Sequence, residues 1–296
     1  MKAIHLLKVI VYFYFISLCV ACRSPQKESA GFFLEVHDSY NRTVTLEKEP
    51  LRIISLSPAI TELIYLLESE QKLVAVSEFC KYPPETEKLP KTGGLVQINI
   101  EKLLSFNPDL VLIGSIISKA DVDKMEKSGI KVIAIKEENE ISGIYSALLN
   151  LGKIVNKESL SFQKVSELKQ QMAQIQIDTT KKRKSVYYVV GYGPAGDFTA
   201  PKNTHIHDII IRAGGRNVGE KLKTWSVSRE FLFDENPDLI FVRKEDFQYF
   251  VTTYPYTELQ AVKNKRTFPI ESGWIDVISP RNILAIQEIH NRIKEK

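Results

Sequence analysis

Cysteine is scarce, with three in 296 residues, at positions 19, 22 and 80. Two of them crowd the N-terminus, so the rest of the chain has no disulfide framework to draw on. Histidine is almost as sparse, at five. The only close pair is His205 and His207, and neighbours two apart do not share a helix face, so metal ligation is weakly supported. No G-x-S-x-G occurs, which leaves serine-hydrolase chemistry without its nucleophile turn. Long apolar runs are missing beyond the first twenty residues, which excludes a bundle of membrane spans. An excess of one charge is also missing. Lys+Arg is 40 and Asp+Glu is 36, a net +4 too weak and too evenly spread for a nucleic-acid partner. Glycine (14) and proline (13) are at background, so the chain is neither collagenous nor of low complexity. What is present is an ordinary globular composition, 44% hydrophobic and 26% charged, enough for one or two domains.

The N-terminus carries a targeting pattern. Lys2 and Lys8 form a basic segment ahead of the apolar stretch 9–18, which is short for a transmembrane helix. Cys19-Val20-Ala21-Cys22 and the polar RSPQKES follow. A short apolar run, a small residue and then Cys form the pattern of a bacterial lipoprotein signal. Residues 1–21 are therefore expected to be a leader, and Cys22 the lipidated residue. A plain secretory signal is the alternative. Residues 22–35 read as a tether. The expectation is a domain outside the cytoplasm, facing the periplasm or the cell surface, attached to a membrane only through its lipid anchor. Cys80 is then alone and reads as a buried small hydrophobe.

Downstream, strand and helix signals alternate. Short apolar strands are predicted at 52–56, 73–76, 109–113 and 131–135, with helices at 59–67, 100–106 and 120–128 between them. Ser57-Pro58 supplies an N-cap and a proline at the first helical position. The strands are apolar without alternation, as buried parallel strands are. Residues 141–177 break the rhythm, with helical spacing and no strand. They read as one long connector, the alternative being two packed helices with a break near Asn156. The rhythm then resumes with strands at 185–190 and 238–242, a helix at 206–213, and a last helix after Ser279-Pro280. The stretch from Glu101 to Val111 (EKLLSFNPDLV) recurs from Glu230 to Ile240 (EFLFDENPDLI). The predicted fold class is α/β: two Rossmann-like lobes, 36–140 and 181–296, with parallel-rich sheets, joined by a single long helix within 141–180. A ligand cleft lies between the lobes.

Gly191-Tyr192-Gly193-Pro194-Ala195-Gly196 matches a dinucleotide fingerprint, but Pro194 removes one N–H and no helix follows directly to hold a pyrophosphate. A flexible loop at the cleft mouth fits better. Aromatics gather where cleft loops should be: Phe79, Tyr82, Tyr192, Phe198, Trp225 and Trp274. Both tryptophans fall on predicted loops, where no core period explains them. Together they point to a large, flat, partly apolar ligand. Glu101 and Glu230 open the two repeat helices at equivalent positions. A first-turn carboxylate gains about 0.3–1 kcal/mol from the helix dipole. One exposed acid per lobe could also be read by a symmetric basic partner.

The stretches 52–62 (RIISLSPAITE), 82–84 (YPP), 99–110 (NIEKLLSFNPDL), 225–230 (WSVSRE) and 274–281 (WIDVISPR) together resemble the periplasmic substrate-binding proteins of ABC importers for vitamin B12 and iron-siderophores. The resemblance runs from about residue 36 to the C-terminus. It implies two lobes bridged by a rigid helical backbone, and no enzymatic activity. It implies that Glu101 and Glu230 dock on arginines of the permease dimer, which works with ATPase subunits. Trp274 followed by Ser279-Pro280-Arg281 is most similar to the vitamin B12 binders, which makes a corrinoid, cobalamin first, the expected ligand. The B12 binders place aromatics where this chain has Leu95 and Gly114, and a polar group where it has Gly273. Haem is the alternative ligand, with His205 or Tyr192 as axial group. A ferric siderophore is another, with Arg243 or Lys202 as its cations. An exported α/β enzyme is the reading from another class, and the chain lacks a catalytic constellation for it.

Overall fold

The computed structural model describes residues 33–295 except 96, 137 and 181. The leader 1–21, Cys22 and most of the tether lie outside the described residues. No helix among the described residues is long and apolar enough to cross a membrane.

The chain opens with an antiparallel hairpin of β1 (Leu34–His37) and β2 (Thr43–Leu46). The first lobe follows: β3 (Ile53–Ser55), α1 (Pro58–Leu66), β4 (Leu73–Val76), α2 (Ile100–Ser105), β5 (Leu110–Ile113), α3 (Lys119–Lys127) and β6 (Val132–Ala134). Its four strands are parallel, in the order β4-β3-β5-β6. After α4 (Ile141–Ile154) and α5 (Glu158–Ala173) comes the second lobe. It contains β7 (Ser185–Val189), β8 (Asp197–Phe198), α6 (His205–Arg212), β9 (Arg216–Asn217), β10 (Ser226–Val227), α7 (Arg229–Glu235), β11 (Leu239–Arg243), α8 (Phe247–Thr252), α9 (Gln260–Lys263), β12 (Thr267–Ile270), α10 (Ser272–Ile275) and α11 (Asn282–Lys294). Its main sheet is also parallel, in the order β12-β11-β7-β9, and β8 and β10 form a small antiparallel pair.

The strands are apolar on both faces because each face meets a different core. Ile53, Leu110, Leu112, Val186, Tyr188, Leu239 and Phe241 point into one core that runs through both lobes. Their strand neighbours Ile54, Val111 and Ile113 enter a core of the first lobe alone. Tyr187, Val189, Ile240 and Val242 enter a core of the second. Alternation along each strand is thus intact in space, though hidden in the sequence.

The repeat is structural. Asn99 caps α2 and Ser228 caps α7 with their side chains. Asn107 and Asn236 then take left-handed φ values of 46° and 39°. The aspartates that follow do the same work in each lobe. Asp109 Oδ2 accepts from the N–H groups of Leu51 and Arg52 (3.0 and 3.1 Å). Asp238 Oδ2 accepts from the N–H of Ser185 (2.6 Å) and its hydroxyl (2.8 Å). Each carboxylate ties its strand to the start of the neighbouring parallel strand.

The connector corrects the expectation of one long helix: α4 and α5 are two helices packed on each other. Asn156, at φ 59°, turns the chain between them. Gly152 admits the close approach, since a Cβ there would lie 2.4 Å from Ser161 Oγ. Of the two, α4 is the one that bridges the lobes. It packs against α1 of the first and α6 of the second, and it is buried along Ile141, Ile144, Ala147, Leu148, Leu151 and Ile154. The N–H of Ile141 donates to Asp208 Oδ2 on α6 (2.8 Å), so an acid of the second lobe serves the open end of the bridging helix.

Candidate ligand-binding cleft

Ligands of open parallel sheets bind beyond the carboxyl ends of the strands, where the loops diverge. Here those loops face one another across the lobe boundary. A cavity of about 280 Å³ is lined by Leu56 to Ala59 after β3, Leu95, Gly114 to Ile117 after β5, His205 at the start of α6, and Asp276 to Ile278 after α10. Most of the lining is aliphatic. Ile116, 73% exposed, offers an apolar side chain that the fold does not cover.

The polar groups of the cleft are already engaged. Asp276 Oδ1 accepts from the Tyr188 hydroxyl (2.6 Å), and Oδ2 from Arg243 Nε (2.6 Å). Burial and the Asp276 charge push the Tyr188 phenol far up, so it stays a donor. His205 Nε2 lies 2.8 Å from the Ile275 carbonyl. His207 faces Asn217 instead, so the His205/His207 pair does not converge.

The aromatic residues singled out in the sequence fall into separate groups, and none lines the cavity itself. Phe79 and Tyr82 are exposed on the loop after β4. Tyr82 lies beneath the Arg281 guanidinium, 3.8 Å from its ring centroid. Trp274 sits on the short helix α10 rather than a loop, partly packed against the shared core. Tyr192 follows β7 and packs on Tyr249, Phe250 and Tyr256 at 5.9, 5.3 and 5.7 Å. Phe198 lies on β8 against Gly191 and Gly196. Trp225 is 40% exposed just before β10, and its carbonyl accepts from the Thr199 N–H (2.9 Å). Phe79, Tyr82, Tyr192 and Trp274 follow the carboxyl ends of parallel strands, on the side of the cleft.

The 191–196 loop is held rather than loose. The Gly193 N–H donates to Asp197 Oδ1 (3.2 Å) and to the Tyr256 hydroxyl (3.0 Å). Arg229 Nη2 donates to the Gly193 carbonyl (3.2 Å). A strand, not a helix, comes next, so the dinucleotide reading fails on geometry.

Two apolar features escaped the sequence reading. Ile116 and Ile117 stand in a loop without period, the same signal that marked the tryptophans. Tyr249 is 63% exposed against Tyr192, on a helix whose apolar spacing hid it. Cys80 is buried, with Ser77 Oγ and Thr61 Oγ1 each 3.2 Å from its sulfur. Burial pushes its thiol up, as expected of a packed residue.

Glu101 and Glu230 are exposed in the first turns of α2 and α7. Among the described residues neither forms an ion pair, whereas Glu235 on α7 binds both Arg216 and Lys221.

A family described as periplasmic binding protein matches residues 53–272. The chain is 28% identical over 301 residues to an uncharacterized ABC transporter substrate-binding lipoprotein of Bacillus subtilis, covering 93% of each. It is 28% identical over 250 residues to the vitamin B12-binding protein of Salmonella typhi, covering 82% of this chain and 90% of that one. The periplasmic heme-binding protein of Vibrio cholerae has the same fold, with a TM-score of 0.74 at 22% identity, covering 83% of this chain and 99% of that one. With two parallel-sheet lobes, a cleft between them, and a family match over most of its length, the chain belongs to the periplasmic binding proteins.

Proposed function

We propose that this protein captures a corrinoid, cobalamin first, in the cleft between its lobes and delivers it to an ABC importer. The observation that carries the reading is the character of the cleft. Its lining is largely aliphatic, and its nearby arginines are neutralised in place, Arg243 by Asp276 and Arg281 by Glu62. An anionic ferric siderophore needs free cations. A corrin needs a broad apolar surface and brings its own cobalt ligands. The similarity to a vitamin B12-binding protein over most of both chains supports the same choice.

In this reading Tyr82, Tyr192, Trp225 and Trp274, with Phe79 and Phe198, supply aromatic contacts around the apolar lining. Glu101 and Glu230 dock on the permease dimer, and Cys22 carries the lipid. The N-terminal pattern and the lipoprotein name of the Bacillus relative support the anchor. Haem is the second reading, because His205 places an imidazole in the cleft wall.

Titration of the purified protein with cyanocobalamin, followed by tryptophan fluorescence, tests the proposal. Saturable quenching in the submicromolar range is expected. No response to cyanocobalamin, with saturable binding of haemin, would replace the first reading by the second.

A further inference from the structure

The walls of the cleft are clasped to one another just behind their lining. Pro58 and Ala59 form part of the first-lobe wall, and Glu62 lies one turn further along the same helix. Asp276 to Ile278 form the second-lobe wall, and Arg281 comes three residues later. Arg281 Nε donates to Glu62 Oε2 (2.8 Å), and Nη2 donates to Oε1, a two-pronged pair. The side chains are 16% and 5% exposed. Among the described residues this is the only ion pair whose partners come from different lobes.

Two further observations show a place shaped for this guanidinium. Its outer face covers the Tyr82 ring at 3.8 Å. A Cβ on residue 273 would lie 2.4 Å from Arg281 Nη1, so a side chain there would push the guanidinium out of this position. Glycine at 273 thus leaves the guanidinium the room that this pair needs.

We propose that Arg281 is a positioning residue for ligand capture, clasping Glu62 across the lobes to set the width of the cleft and holding Tyr82 at its mouth. The inference rests on the reading of the cleft as the ligand site. A buried carboxylate that loses its partner must recover water or a counter-charge. Parting of the two walls hydrates Glu62 with the least damage to either sheet. A wider mouth leaves encounter intact and hastens escape, so the effect falls on dissociation.

Hydrogen exchange and stopped-flow binding of cyanocobalamin test this on the whole protein with Arg281→Gln and Arg281→Lys. In Arg281→Gln, amides in residues 58–66 and 276–284 should exchange about tenfold faster while the central strands keep their protection. Cyanocobalamin should leave about fivefold faster, with its association rate within about twofold of the parent. Arg281→Lys keeps a charge opposite Glu62 and should recover part of both effects; it carries the comparison if Arg281→Gln does not fold. Parental exchange in both segments would overturn the proposal, as would a uniform rise across both lobes. If the parent itself does not bind cyanocobalamin, the ligand reading fails, and the exchange pattern still decides the role of Arg281.

Discussion

His207 is built to be neutral. Asn217 is oriented by its other bonds, with its Oδ1 accepting from the Gly219 N–H (3.1 Å) and its Nδ2 donating to the Ala200 carbonyl (2.8 Å). The same Nδ2 faces His207 Nδ1 at 3.2 Å, so that ring nitrogen must present a lone pair. Burial holds the His207 pKa below its ordinary 6.5, against the opposing pull of Glu220 and Asp208. The unfolded chain therefore takes up the proton first as pH falls. The stability contributed by His207 is complete above the unfolded value and is lost as pH drops from about 6.5 toward the lower folded value. His207→Gln should flatten the dependence of urea stability on pH between about 5 and 6.5; an unchanged slope would show that other groups set it. On the proposed reading, in which Trp225 contacts the ligand, Trp225→Ala should weaken cyanocobalamin binding by about 1–3 kcal/mol, the scale of a lost aromatic contact. An unaltered dissociation constant would place Trp225 outside the ligand's reach.

At the scale of elements, the connector shows what periodicity can and cannot reveal. Helical spacing was legible from Ile144 through Leu168, because both helices bury one stripe each. Their separation was legible only as an alternative. The turn depends on Asn156 accepting a left-handed conformation and on Gly152 admitting Ser161, and both are facts of tertiary contact. Gly152→Ala forces a methyl against Ser161 and should cost about 1–3 kcal/mol in chemical denaturation. A loss below a few tenths would mean that the helices can slide apart freely. The strands and their helices were more transparent. β4 lies where its apolar residues predict it, and α1 starts where Ser57-Pro58 points, with the Ser57 side chain accepting from the Ile60 N–H. The hairpin β1–β2 went unread, because its strands are short and partly exposed.

At the scale of the whole molecule, the two exposed acids are the feature that a partner could read. Glu101 and Glu230 open equivalent helices, one per lobe, and a shared core with a buried bridging helix fixes their separation. Ion pairs of this kind govern orientation and encounter more than bulk affinity. Glu101→Ala combined with Glu230→Ala should abolish uptake of labelled cyanocobalamin by cells and leave its dissociation constant in solution unchanged. Undiminished uptake would remove the docking role.

The sequence by itself determined the α/β rhythm, the duplicated Asn-Pro-Asp segment and the family. These follow from local chemistry: apolar runs, caps, turn residues and motif order. Only the tertiary structure decided what lines the cleft. The aliphatic wall is assembled from loop residues far apart in the chain, Leu56, Ile116 and Ile278 among them. The aromatics that stood out in the sequence lie in separate groups and form no part of that wall. The Glu62–Arg281 clasp joins positions separated by most of the chain, and nothing local to either residue announces the other. A side chain's type is written in the sequence. Its partner is set by how the two lobes are held, and the bridging helix and the shared core hold them.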